Sequence, residues 1–247
     1  MRRENILNPL FFGGLIALGL LGASAILAHA LIKFRSAGSY VTVKGLAEKD
    51  VKSDSALWKI KVKVSGNDFN TTSQSVAQKN ALVQLFLKNN GFTPEEIGAP
   101  TMRVIDLYAR EFGNEKIPPR RYLFESRFSL SSKNVDLVAK AASRTSDLIA
   151  QGIILEENDY EINPKYYFTK LNDIRPEMLA EAMQSARVLA EQFARDSHSK
   201  VGSIKFANQG VFHISDRESS DGAALSDVAS VMKKIRVVST IDYYLTE

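Results

Sequence analysis

The sequence predicts an α+β fold: an amino-terminal transmembrane helix, then one domain in the order βαββαβ, then an additional αββ extension. Three observations predict it. Leu10 to Ile32 runs for 23 residues without Asp, Glu, Lys or Arg. Leu57 to Ser65 alternates apolar and polar residues with a period of two, the mark of a half-buried strand. Three later stretches carry the 3.6-residue apolar period of helices.

At 1.5 Å rise per residue, a helix over Leu10 to Ile32 covers roughly 34 Å, against a hydrocarbon core of about 30 Å. Met1 to Asn5 form a short basic tail before it, and Lys33 and Arg35 follow as headgroup anchors. The expected reading is a single-pass membrane anchor, lipid being met through residues 10–32. Two alternatives stand beside it. One is a cleaved signal peptide, cut after Ala23-Ser24-Ala25 or Ala28-His29-Ala30 and leaving a soluble exported domain. The other is a buried helix. Lys/Arg counts on the two flanks do not set the orientation, and the pairs Gly13/Ala17 and Gly19/Ala23 are ordinary for such a segment. Residues 1–35 are thus an anchor or signal segment and 36–247 one α+β domain.

The formal net charge is +4 over 247 residues. Residues 1–35 hold four of the 32 Lys/Arg and one of the 28 Asp/Glu, which leaves 28 against 27 in the domain. A nearly neutral domain argues against a nucleic-acid footprint. The absence of Cys excludes disulfides, thiol catalysis and Cys-ligated metal.

After a polar linker around Gly38, Tyr40 to Lys44 reads as a short strand. In Leu57 to Ser65, Trp58, Ile60, Val62 and Val64 face one way and Lys59, Lys61 and Lys63 the other, a solvated lysine face. Asn70 to Leu87 reads as a helix with Asn/Thr capping candidates and a stop at Asn89-Asn90-Gly91. Strands follow at Met102 to Ala109 and Tyr122 to Leu130. Asn134 caps a helix over Val135 to Ala150, and Ile153 to Phe168 is extended. This order is the ferredoxin-like one. A third helix runs from Asn172-Asp173 to Asp196 with the face Leu179, Ala182, Met183, Ala186, Leu189, Ala190 and Phe193. Strands at Val201 to Ile214 and Ile235 to Leu245 end the chain, and Ser215 to Val231 between them reads as a disordered or mobile loop.

No catalytic constellation emerges, so the expected site residues are none: no catalytic, cofactor-binding or metal-ligating residue, and no cofactor. The three His, at 29, 198 and 213, show no metal-ligand spacing. His213, Ser215 and Asp216 have the residue types of a triad, but neighbours along a strand do not converge in space. Gly202 and Gly210 stand singly as turn glycines rather than in a phosphate loop. The pairs Glu95/Glu96 and Glu156/Glu157 read as solvated surface.

Several stretches then carry a family resemblance. They are Phe168-Thr169-Lys170-Leu171-Asn172-Asp173-Ile174-Arg175-Pro176-Glu177-Met178, Ala190-Glu191-Gln192-Phe193-Ala194, Gly202-Ser203-Ile204-Lys205 and Arg236-Val237-Val238-Ser239-Thr240-Ile241-Asp242-Tyr243-Tyr244-Leu245. With Val41-Thr42-Val43-Lys44-Gly45 and Trp58, these resemble the bacterial SIMPL-domain family over nearly the whole chain from Tyr40. The resemblance implies a bacterial envelope domain without an established enzymatic activity, here a single-pass inner-membrane protein with the domain facing the periplasm, or a soluble periplasmic one after signal cleavage. Some members are linked to stress defence and some form ring-like oligomers, and no functional residues transfer. The expected function is a non-enzymatic, membrane-tethered periplasmic protein that forms homo-oligomers and supports envelope integrity or stress defence. The alternative is a binding module for a small molecule or peptide, using the groove between the third helix and the sheet or the 215–231 loop.

Overall fold

The structure, a computed structural model, describes residues 7–36, 38–109, 118–154, 163–218 and 229–246. In chain order its elements are α1 (Leu7–Ser36), β1 (Tyr40–Lys52), β2 (Ser55–Gly66), α2 (Phe69–Asn89), β3 (Thr101–Asp106) and β4 (Tyr122–Ser132). There follow α3 (Val135–Ala142), α4 (Ser146–Ala150), β5 (Lys165–Tyr167), α5 (Leu171–Asp196), β6 (Lys200–Asn208), β7 (Phe212–Asp216) and β8 (Met232–Thr246). A short 3-10 turn, Leu107–Ala109, follows β3.

The uncharged stretch does form a helix, α1. Among the described residues, however, no helix is long and apolar enough to cross a membrane. This overturns the expected transmembrane helix, the single-pass inner-membrane placement and the lipid contact through residues 10–32. A span requires about 20 consecutive apolar residues in one helix, and no described helix combines that length with that apolarity.

The remaining fold is a mixed α/β arrangement with two antiparallel sheets, which also corrects the expected appended αββ extension. The closing strands do not append to the first sheet. They join β1 in a second sheet of order β1-β8-β6, with β7 also paired to β8. The other sheet has the order β3-β4-β2-β5. The chain divides into two compact units: residues 1–47, 177–212 and 237–247 in one, 48–176 and 213–236 in the other.

In the second unit, β2 and β4 pair antiparallel over eleven positions, from Ala56 opposite Ser132 to Gly66 opposite Tyr122. Their alternation puts Trp58, Ile60, Val62, Phe128 and Leu130 into a core closed by Val83 and Leu87 of α2 and by Val135 and Val138 of α3. Each such side chain contributes about 1.5–3 kcal/mol relative to exposure. The first turn of α2 is capped by Asp68, whose carboxylate accepts from Thr71 N–H at 2.8 Å, rather than by the Asn or Thr residues expected. Asn134 caps α3, accepting from Leu137 N–H at 3.1 Å. The helix expected over 135–150 is two helices. Ser143 and Thr145 turn their hydroxyls back to the carbonyls of Lys140 and Ala142, and the chain tightens there. The eight-residue stretch 155–162 of the expected segment 153–168 lies outside the described residues, and Lys165–Tyr167 pairs with β2.

In the first unit, α5 lies on the sheet through a stripe of small residues. Met178, Ala182, Ala186, Ala190 and Ala194 are buried at intervals of four, a narrower face than the one expected. Leu189, Met183 and Phe193 ride outside it. The reason is Gly45 of β1: a Cβ there would lie 1.8 Å from the Ala182 carbonyl oxygen and 2.8 Å from Ala186 Cβ. Such close approach admits only small side chains between helix and sheet. Replacing Gly45 by Val should therefore lower stability by about 3 kcal/mol or more, read as a drop in the urea midpoint. An unchanged midpoint would show that helix and strand are not packed this closely.

Candidate functional site

The Ala stripe fixes which residues of α5 flank it. One position on from each buried residue come Leu179, Met183, Arg187, Glu191 and Arg195, a row at intervals of four that shares one side of the helix. This row borders a groove whose other wall is β6. The 179–183 end is a cavity of about 430 Å³, closed by Phe206, Ala207 and Asn208 of β6 and floored by Ser239 and Ile241 of β8. The opposite end, about 330 Å³, is lined by Arg187, Glu191 and Arg195 with Ser199, Lys200 and Val201. An apolar pocket and a basic pocket thus lie along the same side of α5.

β6 is the outer strand of its sheet, paired only with β8 among the described residues. Every residue from Ser203 to Gln209 is exposed, and Ile204 and Phe206 are 44% and 57% exposed. Its ladder with β8 shifts register twice, between Val201 and Ile204 and again before Phe206. Beyond it, Gly210 adopts φ 72°, and a Cβ there would meet the Val238 carbonyl at 2.0 Å. Gly210 is thus a turn glycine as expected. Gly202 is not: it sits inside β6 at the first register shift, against Tyr244. Ser239 Oγ donates to the Gln209 carbonyl at 3.1 Å and holds the turn beside the apolar cavity. In the core cluster with Ala186 and Ala190, burial pushes the Tyr243 hydroxyl pKa up, opposed by the Arg187 charge.

The triad types do not converge. His213 is exposed, whereas Asp216 is buried, and its carboxylate accepts from Ala229 N–H and Ser230 N–H at 3.0 Å each and from Lys233 Nζ. Lys233 is 2% exposed, so this is a buried ion pair that ties residues 229–230 to β7. The expected loop 215–231 is described only at its ends, and residues 219–228 lie outside the described residues. His198 closes α5 with φ 54° and is exposed. Among the described residues, no three His, Cys, Asp or Glu come together as a metal site. Glu96 is structural: it accepts from the Ser132 hydroxyl at 2.5 Å and from Thr93 N–H at 2.9 Å. These bonds, the hydroxyl's first, hold its carboxyl below the usual carboxylate range. Glu156/Glu157 lie outside the described residues.

The lysine face is less plain than the sequence suggests. Lys61 and Lys63 are only partly exposed and lie 4.0 and 3.5 Å from the buried carboxylate of Glu125, which Arg127 approaches to 3.7 Å. Sequence reasoning did not single out Glu125, although its place opposite Lys63 in the ladder was the available signal. It also missed the basic end of the groove, whose signal is the four-residue spacing of Arg187, Glu191 and Arg195.

The family model for SIMPL, described as a protein of unknown function (DUF541), matches residues 41–241. The chain belongs to the SIMPL family. The match takes in β1, α5, the groove and most of β8, so both pockets lie within the SIMPL domain. No curated protein matches the chain.

Two outcomes follow from the buried groups. Lys233→Met strands the Asp216 carboxylate without its cation and should cost about 3–5 kcal/mol of stability, measured by urea unfolding; a loss under 1 kcal/mol would mean that water reaches the carboxylate. Because Glu96 has a lowered pKa, its bonds stabilise above the usual carboxylate range and are lost as pH falls through the lowered value. Thermal unfolding of Glu96→Gln should accordingly show a flatter acid limb than the parent, and parallel limbs would refute the assignment.

Proposed function

We propose that this SIMPL protein is a non-enzymatic module that self-associates and supports the cell's stress tolerance. The observation that carries self-association is the outer side of α5. Leu189 and Phe193 are 43% and 55% exposed, and Val188 beside them is also exposed. A row of bulky apolar side chains, one turn apart and away from the groove, gains about 1.5–3 kcal/mol for each member that a second copy covers. A single face that meets itself gives a closed, isologous pair. The non-enzymatic part is supported by Asp216, whose carboxylate is committed to Lys233 and to two backbone N–H groups rather than to His213. The stress role is supported by the family resemblance alone.

Sedimentation of the purified full chain should give a mass above one copy. The double variant Leu189→Glu, Phe193→Glu should fall to a monomer whose unfolding midpoint no longer rises with protein concentration. A parent protein that is strictly monomeric at its highest soluble concentration would sink the self-association reading. A deletion strain growing like its parent under peroxide would remove the stress role.

A second reading is favoured by a separate observation, the cavity beside Met183 and Phe206. Its volume of about 430 Å³ suits a small ligand or part of a peptide. On this reading the protein is a binding module that uses the groove between α5 and the sheet.

A further inference from the structure

The cavity between α5 and the end of β6 carries no charge in its walls. Leu179 and Met183 of α5, Phe206 and Ala207 of β6 and Ile241 of β8 give it an apolar lining, and its polar members are Asn208, Gln209 and Ser239. Arg187, one turn beyond Met183, lines the other pocket and is paired there with Glu191 at 3.1 Å. Ile241 and Ser239 are buried and form the floor, whereas Asn208 and Gln209 are exposed and form the rim. An ionised ligand entering here loses water and gains no counter-charge, so the lining selects a neutral one.

The rim also holds a donor. Asn208 Oδ1 accepts from Gly210 N–H at 3.0 Å. Of the two ends of a carboxamide only the oxygen accepts from a backbone N–H, so this bond fixes which way the amide faces. The Asn208 Nδ2 group is left without a protein partner among the described residues. Its position is set before any ligand arrives. Gly210 turns the chain at φ 72° against the Val238 carbonyl, and Ser239 Oγ donates to the Gln209 carbonyl at 3.1 Å from below.

We infer that this cavity binds a small uncharged molecule with an aromatic ring and one carbonyl-type acceptor, the ring beside Met183 and Phe206 and the oxygen on Asn208 Nδ2–H. The inference rests on the binding-module reading and names its ligand class. A thioether and a phenyl ring both favour an aromatic partner over an alkyl chain. Filled at the density of a protein interior, about 430 Å³ holds on the order of 15 non-hydrogen atoms, enough for a ring, a short linker and an amide or ketone.

The test titrates the full chain, isotope-labelled at its methionine methyls, with hydrocinnamamide, hydrocinnamate and propylbenzene. The three share a ring and a linker and differ in the head: a neutral acceptor, an anion, or none. The amide should shift the Met183 methyl saturably, leave Met102 of the other unit unmoved, and bind about tenfold or more tighter than either analogue. Asn208→Asp keeps the acceptor for Gly210 N–H but removes the donor, and should weaken the amide by a similar factor. Ala207→Trp fills the cavity from an exposed strand position and should abolish the shift. Equal affinity for the amide and either analogue, or undiminished affinity in Asn208→Asp, overturns the inference and leaves the binding-module reading standing. A Met183 shift that survives Ala207→Trp overturns it as well, since the probe then sits outside the cavity. No Met183 shift with any of the three probes overturns the inference and the reading together.

Discussion

The close seating of α5 on its sheet is the constraint on which the candidate site depends. Gly45 leaves no room for a Cβ beneath Ala182 and Ala186, so only the Ala stripe enters the interface. The longer side chains are displaced to the two sides of the helix. On one side they meet the outer strand and border the two pockets. On the other, Leu189 and Phe193 are left without cover. One packing requirement thus produces both the groove and the apolar face, and the two functional readings use opposite sides of the same helix.

The second unit is stabilised differently. Its core is built on large side chains, Trp58, Phe128 and Leu87 among them, and on a ladder of eleven paired positions between β2 and β4. Polar groups at its margins are satisfied individually: Asp68 by Thr71, Asn134 by Leu137 N–H, Glu96 by Ser132 and Thr93. The costliest of these arrangements is the pair Lys233 and Asp216. Two buried charges are tolerated because the carboxylate also accepts two backbone N–H bonds, and an ion pair with satisfied lone pairs offsets much of its desolvation. Its acid therefore has a structural task that the neighbouring His213 and Ser215 do not share.

Local pattern and long-range placement separate clearly in this chain. Period-two alternation in Leu57 to Ser65, the helix ending at Asn89-Asn90-Gly91 and the cap at Asn134 were all legible, because each depends on residues within a turn or two of one another. The SIMPL membership was legible from short stretches spread along the chain. The absence of a described membrane-crossing helix was not, since an uncharged run of 23 residues satisfies the local criterion by itself.

What the sequence determined alone, then, is the kind of its most strongly patterned elements, a chain after residue 35 of nearly balanced charge, and a family; the expected helix over 135–150 and the expected strand over 201–214 each form two elements. Tertiary structure decided the rest. It brought β1 into one sheet with β8 and, beyond it, β6, strands that begin only after residue 199. It chose Ala over Leu as the inward face of α5, left β6 at an edge and brought Lys233 to Asp216. The physical reason is that apolar periodicity specifies a face to within a residue or so, whereas the distance of closest approach between two elements is set by both partners. Gly45 and the Ala stripe of α5 are separated by well over 100 residues, and neither pattern alone states how near the other will come.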